Sequence, residues 1–407
     1  MGQYSGHSQV YRALHIADIA GKGSSLRLEA FRYAIERCRQ TPNTTLYKKL
    51  CASCYGEYPL EEFKCDELWV NQTEASTRVQ TDRKEMDINQ ARNAGIRENM
   101  RASLSDLGDL HYRAGNLPMA IKTYSRCKEL CTSTEHHFHA ALKIVFPSLE
   151  NGNWASVTNN AQKALSSAGT NALYKSKSSI VMGVAQIQQH AYRQAAKYLL
   201  DVTKEGMGQF TEFLSDKEVA LYAGLCALAS FEREDLRTKF LKLTSFKVFL
   251  DLYPAVEQTV EAVLACRYSD AVTLLDSICQ DLKYDYFLAG TLSDLREEIR
   301  TRLIQQFIYP FKAIRIAEIA TAFNLSPIAM EKELERLISK GLVKARIDSH
   351  NKVLQSRFAD QRGVTFQLAL ETGEEMVREI EVMLLRASML QQHFTLSVPK
   401  STIMRGF

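Results

Sequence analysis

Arg315-Ile-Ala-Glu-Ile-Ala-Thr-Ala-Phe-Asn-Leu-Ser-Pro-Ile-Ala-Met330, continuing to Arg357, is the stretch whose reading decides the fold. Ile316, Ile319, Ala320 and Phe323 recur at helical spacing and form one apolar stripe. Asn324-Leu325 turns the chain. Ser326 then caps a second helix, with Pro327 at the first helical position, where a missing N–H costs nothing. Met330, Leu334, Leu337 and Ile338 share one face of that helix, and Gly341 supplies the left-handed end residue. Leu342 to Ile347 reads as a strand, Asp348-Ser349-His350-Asn351 as a turn, and Lys352 to Arg357 as the returning strand. Two helices followed by a hairpin make a winged helix.

A winged helix either grips DNA or holds proteins together, and the second helix chooses. Reading bases in the major groove requires Arg, Lys, Asn or Gln on the outward face. Here that face carries Glu331, Glu333 and Glu335, with Lys332 and Arg336 between them. Three carboxylates repel a phosphate backbone, and counterion release cannot drive binding there. Residues 301–365 hold eleven Lys/Arg against six Asp/Glu. Much of that positive charge lies in the wing, at Lys344, Arg346, Lys352 and Arg357. The charges therefore argue against nucleic acid and for protein docking.

Working outward, the chain of 407 residues is 45% hydrophobic and 24% charged, with eight prolines and a net charge of +4. This is ordinary globular composition, long enough for two or three units. The longest apolar run, Val219 to Phe231, is too short to span a bilayer and reads as a buried helix. The N-terminus lacks the basic-then-apolar pattern of a signal peptide. Gly6 stands where a myristoylation motif requires Ser or Thr. The nine cysteines are scattered, as in a reducing compartment. The expectation is a protein of the cytoplasm and nucleus with no membrane association.

The region before the winged helix repeats itself. Leu107-Gly108-Asp109 through Tyr112, Ala120, Tyr124 and Cys127 has the spacing of a tetratricopeptide unit. Gly108 and Ala120 let two antiparallel helices approach closely, while Leu107, Tyr112 and Tyr124 fill the seam. The offsets recur at Gly183, Ala195 and Leu199, and in weaker form at Trp154 and Ala161. Further units contain Tyr222, Gly224, Leu225 and Leu228, then Tyr268, Ala271 and Leu275. Such units bury their apolar faces only against neighbours, so the array stands or falls together. Before residue 90, helices are expected over Leu26–Cys38 and Thr45–Tyr55, with another beginning at Trp69. The polar stretch 73–95 reads either as a long solvated helix or as a linker.

After the wing, Phe366, Ala369, Gly373, Met376, Ile380, Met383, Ala387, Leu390 and Phe394 alternate steps of three and four. This is a heptad seam on a helix from about Thr365 to Phe394. Its six large residues are each worth roughly 1.5–3 kcal/mol when buried. Such a seam either folds back onto its own winged domain or is an assembly surface, and the second is expected. Phe366, Met376, Ile380, Met383, Leu390 and Phe394 are then the contact residues. Gly373 in mid-helix costs about 1 kcal/mol against Ala, which a close partner helix would account for.

No active site emerges. His137-x-His139 begins like a metallo-isopeptidase motif, but Pro147 and Glu150 occupy the positions where that motif places Ser and Asp. Cys51-x-x-Cys54 with Cys65 offers three thiolates and no clear fourth ligand. Cys127 and Cys131, one helical turn apart, read as packing residues. Asn43-Thr44-Thr45 and Asn71-Gln72-Thr73 are glycosylation sequons by pattern alone. There is no phosphate-binding glycine loop and no nucleophile elbow. The sequence assigns no catalytic residue, no cofactor and no metal.

Helical repeats, a winged helix and a long terminal helix together resemble the PCI family, which supplies scaffold subunits to the proteasome lid, the COP-nine signalosome and translation initiation factor three. Leu107-Gly-Asp, Tyr124-Ser-Arg-Cys, Leu221-Tyr-Ala-Gly-Leu-Cys-Ala-Leu-Ala-Ser-Phe and Ser245-Phe-Lys-Val-Phe-Leu resemble the signalosome branch. So do Ala345-Arg-Ile-Asp-Ser-His-Asn-Lys-Val-Leu, Asp360-Gln-Arg and Met383-Leu-Leu-Arg-Ala. The resemblance covers roughly residues 10 to 395, and the Asp348-Ser349-His350 turn is its most telling block. The paralogous lid subunit shares the plan and the Cys266-Arg267-Tyr268 segment but generally lacks that turn. The implied fold is predominantly all-α: a right-handed tetratricopeptide-like array, a PCI winged helix with a small β wing, and a long C-terminal helix. The implied divisions are an N-terminal helical region at 1–95, repeats at 96–300 and the winged helix at 301–364. An assembly helix at 365–394 and a flexible tail at 395–407 complete them.

The resemblance implies a non-catalytic scaffold supporting removal of the Nedd modifier from cullins, with the metallo-isopeptidase in another subunit. Implied partners are other PCI subunits, that isopeptidase subunit and cullin-RING ligases. It also implies that Lys352, Val353, Leu354 and Gln355 form an edge strand that adds to a neighbour's sheet, and that the terminal helix enters a bundle. The alternatives are a PCI subunit of the proteasome lid and a winged-helix nucleic-acid binder.

Overall fold

A computed structural model describes residues 4, 6–208, 210–211, 213–357 and 361–393. The helices in chain order are α1 His7–Ile19, α2 Ser25–Arg39, α3 Thr44–Glu57, α4 Glu67–Asn93, α5 Arg97–Arg113, α6 Leu117–Glu129, α7 Thr134–Glu150 and α8 Trp154–Ser167. They continue as α9 Ala172–Gln188, α10 Tyr192–Leu200, α11 Asp216–Ser230, the short α12 Arg233–Asp235, α13 Thr244–Leu250, α14 Pro254–Leu264, α15 Tyr268–Asp281 and α16 Leu292–Ile308. The winged helix follows as β1 Ala313–Arg315, α17 Ile316–Ala322, α18 Pro327–Ser339, β2 Ala345–Asp348 and β3 Val353–Ser356, and α19 Gln361–Gln391 ends the described chain. Two compact units result. The first takes the chain up to Phe307 together with Thr321–Asn324, and the second takes Ile308–Ala320 and the described residues from Leu325 onward.

The helices start where the sequence offers an oxygen to their first amides. Asn43 accepts from the Leu46 amide at 3.1 Å, so half of the first sequon is a buried helix cap. Asn171 accepts from Leu173 and Tyr174. Ser215 and Glu218 form a complete capping box on α11. Each such cap is worth about 1 kcal/mol. All but the last two residues of the polar stretch 73–95 belong to α4, a single 27-residue helix capped by Asp66, so the stretch is a helix and not a linker.

In the repeats the small residues permit close crossing. A Cβ on Gly108 would strike the Tyr124 ring, and one on Gly183 would come within 2.6 Å of Leu199. A Cβ on Gly224 would strike Val256. The last contact shows that α11 pairs with α14 across an intervening segment that contributes Phe240, Phe246 and Phe249 to the core. Every residue from Val219 to Ala229 is buried, so the longest apolar run is a helix covered on all sides, as its composition requires.

Helix α1 carries no motif, yet it is built into the first unit. Arg12 pairs with Glu218 at 2.5 Å and donates to the Phe213 carbonyl at 3.1 Å. Tyr4 donates to the same carboxylate at 2.6 Å. His15 meets the edge of Tyr286 and His7 tilts against Tyr112. Glu218 therefore serves twice, as capping residue of α11 and as anchor of a helix 206 positions earlier.

Candidate functional site

Two exposed features of the second unit are the candidates: its small sheet and its last helix. Ser326 caps α18 by accepting from the Ala329 amide, Asn324 takes a left-handed turn conformation, and Gly341 ends the helix at φ 72°. Met330, Leu334 and Leu337 are buried beneath it. In the hairpin, Asp348 accepts from the amides of His350 and Asn351 and from the Asn351 side chain. Those bonds hold its carboxyl below the usual range, and they explain why Asp is suited to the start of this turn.

The sheet corrects one expectation. Its strand order is β1-β3-β2, antiparallel throughout, with Leu354 opposite both Ile314 and Ile347. Val353, Leu354 and Gln355 therefore lie on the middle strand, with Lys352 just before it, and none is at an edge. The Lys352 carbonyl accepts from Ile316 on one side, and the Arg357 amide donates to Lys344 on the other. A strand bonded on both sides cannot add to a neighbour's sheet. The Lys352 ammonium also pairs with Glu331 of α18 at the surface, at 2.9 Å. The error arose from β1, three residues long and with only Ile314 buried. It is too short to show a period. Among the described residues the outer side of β2 is an edge. Since the Arg357 amide bonds to Lys344, antiparallel alternation aims the amides of Ala345 and Ile347 outward.

Helix α19 does not fold back onto the winged domain. Phe366, Met376, Ile380, Met383 and Leu390 are 46–71% exposed, and a Cβ on Gly373 would meet nothing within 4 Å. Phe394, the last predicted seam residue, lies outside the described residues, as does the 395–407 tail. A further row was missed. Leu370, Val377 and Leu384, all exposed, lie beside the seam at heptad spacing. The stripe thus has three positions per heptad rather than two. That width suits a helix packed in a bundle more than one strand of a two-stranded coil.

The residues that resembled chemistry are structural. His139 stands 3.3 Å from the Tyr174 hydroxyl, whose ring stacks on Phe138. Cys51 and Cys54 are buried in the core formed by α1 to α3, and the Cys131 thiol donates to the Cys127 carbonyl. Among the described residues, no three His, Cys, Asp or Glu side chains gather so as to hold a metal. No described helix is long and apolar enough to cross a membrane.

Comparison with known proteins bears on the whole chain. COP9 signalosome complex subunit 1 of Arabidopsis thaliana is 32% identical over 392 residues, covering 96% of this chain and 89% of the plant protein. The chain belongs to the COP9 signalosome complex subunit 1 family. Subunit 1b of Drosophila melanogaster is 30% identical, over 96% of this chain and 84% of the fly protein. Subunit 1 of Emericella nidulans is 29% identical, over 96% and 81%. Two family profiles also match. The one described as 26S proteasome subunit RPN7 matches residues 66–239, and the PCI domain profile matches residues 275–358. The expected PCI resemblance is thereby established. In this subunit 1 family member, α19 lies beyond the last residue of the PCI match.

Proposed function

We propose that the chain is a non-catalytic scaffold subunit of the COP9 signalosome, held in the complex by α19. In that place it supports removal of the Nedd modifier from cullins in cullin-RING ligases, while the isopeptidase resides in another subunit. The single observation that carries this reading is the exposed three-row apolar stripe of α19, on a chain whose relatives are named as signalosome subunits. The five described seam side chains left in water, Phe366, Met376, Ile380, Met383 and Leu390, forfeit on the order of 10 kcal/mol, and a bundle of helices from other PCI subunits recovers it. The outer edge of β2, rather than β3, is the second contact, adding by backbone hydrogen bonds to a neighbouring sheet. The protein works in the cytoplasm and the nucleus.

The match to the proteasome RPN7 profile favours a second reading, a scaffold of the proteasome lid. Affinity purification of the chain from separated cytoplasmic and nuclear fractions, with mass spectrometry, decides between them. Signalosome subunits and cullins are expected in both fractions. Their loss is expected when Met376, Ile380 and Met383 are all changed to Glu. Recovery of lid subunits moves the chain to the proteasome, and a lone monomer removes both readings. A nucleic-acid role conflicts with Glu331, Glu333 and Glu335. It requires a salt-dependent affinity that disappears when Lys344, Arg346, Lys352 and Arg357 become Glu.

A further inference from the structure

The docking of α1 forms one wall of a partly open cavity of about 310 Å³ within the first unit, between α1, α5, α7 and the residues around Tyr286. That volume is at the lower bound for small-molecule sites. Its walls are mainly aromatic, with Tyr11, Tyr112, Phe146 and Phe287 among them. Two polar groups inside are unusual. Glu150 accepts from the Tyr112 hydroxyl at 2.5 Å and from Tyr11. Its surroundings act on it only through burial and these two phenols, and burial pushes it up to about 7. Among the described residues no cation pairs with it. His7 is 6% exposed and lines this cavity and the adjoining one, yet neither of its ring nitrogens has a hydrogen-bond partner.

Arg113 and Lys143 also line the cavity, but among the described residues neither forms an ion pair with Glu150. The Lys143 ammonium is committed to Asp109 at 2.7 Å and Ser105 at 2.8 Å. Burial, and after it the charge of Arg113, lower the His7 pKa and so favour the neutral imidazole, which leaves a ring nitrogen as an acceptor. A buried carboxyl without a counter-charge, a neutral imidazole acceptor and several π faces share one chemistry: they favour a positively charged, partly apolar guest.

We propose that this cavity binds a small organic ammonium ion, with its cationic head between Glu150 and the aromatic walls and His7 accepting any N–H or O–H it carries. The proposal is independent of the scaffold reading, because none of these residues lies in the second unit.

The test uses the full chain at pH 8, where most of Glu150 is ionised, and follows binding by calorimetry. The probes are choline and its neutral carbon isostere, 3,3-dimethylbutan-1-ol. Saturable choline binding in the millimolar range or tighter is expected, with the alcohol at least tenfold weaker. Glu150→Gln, which preserves the size and the hydrogen bond from Tyr112, is expected to weaken choline at least tenfold. Equal binding of choline and the alcohol overturns the proposal, since the cavity is then only apolar. Equal choline binding by wild type and Glu150→Gln overturns it too, as does the lack of any saturable binding. The comparison of the two probes needs no variant, so it remains decisive if Glu150→Gln fails to fold.

Discussion

Glycines 183 and 224 sit where helices touch, and Glu150 sits where a charge is hard to keep. Gly183→Ala places a methyl 2.6 Å from the Leu199 side chain, and Gly224→Ala drives one into Val256, whose branching leaves it little freedom to move. Each is expected to destabilise the chain by about 1–3 kcal/mol, measured by chemical denaturation. Gly373→Ala is the control. It meets nothing within 4 Å and removes a helix-breaking residue, so it stabilises α19 by up to about 1 kcal/mol. For Glu150 the sign follows from a folded-state pKa raised from 4.5 to about 7. The folded chain holds this proton more tightly than the unfolded chain. Stability from this group is therefore present at low pH and lost as the pH rises through that window. Wild type should fall relative to Glu150→Gln by about 3 kcal/mol between those pH values. Parallel pH–stability curves for the two proteins would remove the argument.

At the scale of elements, α19 and α1 are opposites. Changing Met376, Ile380 and Met383 to Glu touches only exposed positions. The isolated chain should keep its melting temperature while losing its partners. Arg12→Ala should do the reverse. It leaves Glu218 buried without its counter-charge, a change that typically costs 3–5 kcal/mol, and it touches neither candidate contact surface. Thermal unfolding and co-purification of the two variants together separate stability from assembly. These two elements also mark how far the sequence could be read. The heptad steps of α19, the Ser326-Pro327 start of α18 and the glycine spacings of the repeats have periods or caps that a single chain displays openly. α1 has neither. Its Arg12, Tyr11 and His7 are meaningful only beside Glu218, Glu150 and Tyr112, which are brought near by the path of the array. For the same reason the middle position of β3 was not legible. Strand order is a property of three segments at once, and β1 is only three residues long. The cavity was equally hidden. Glu150 entered the sequence reading only as a failed position in a metal motif.

For the molecule as a whole, an apolar stripe along a 31-residue helix is a liability when partners are absent. The chain on its own should self-associate in a concentration-dependent way and bind a hydrophobic dye. A chain ending at residue 360 should do neither, as read by sedimentation and dye fluorescence. A monomeric full-length chain that binds no dye would contradict the exposure of α19.

The reach of α1 sets a timetable for the newborn protein. Arg12 leaves the ribosome well before its partner Glu218, which is made 206 residues later. At about 5–20 residues per second, that is a delay of roughly 10–40 s. Throughout it α1 packs only on its neighbours α2 and α3, while Arg12 waits for the carboxylate that α11 supplies. The ion pair that ties α1 to α11 is thus a late contact, and until it forms the Arg12 guanidinium stays in water.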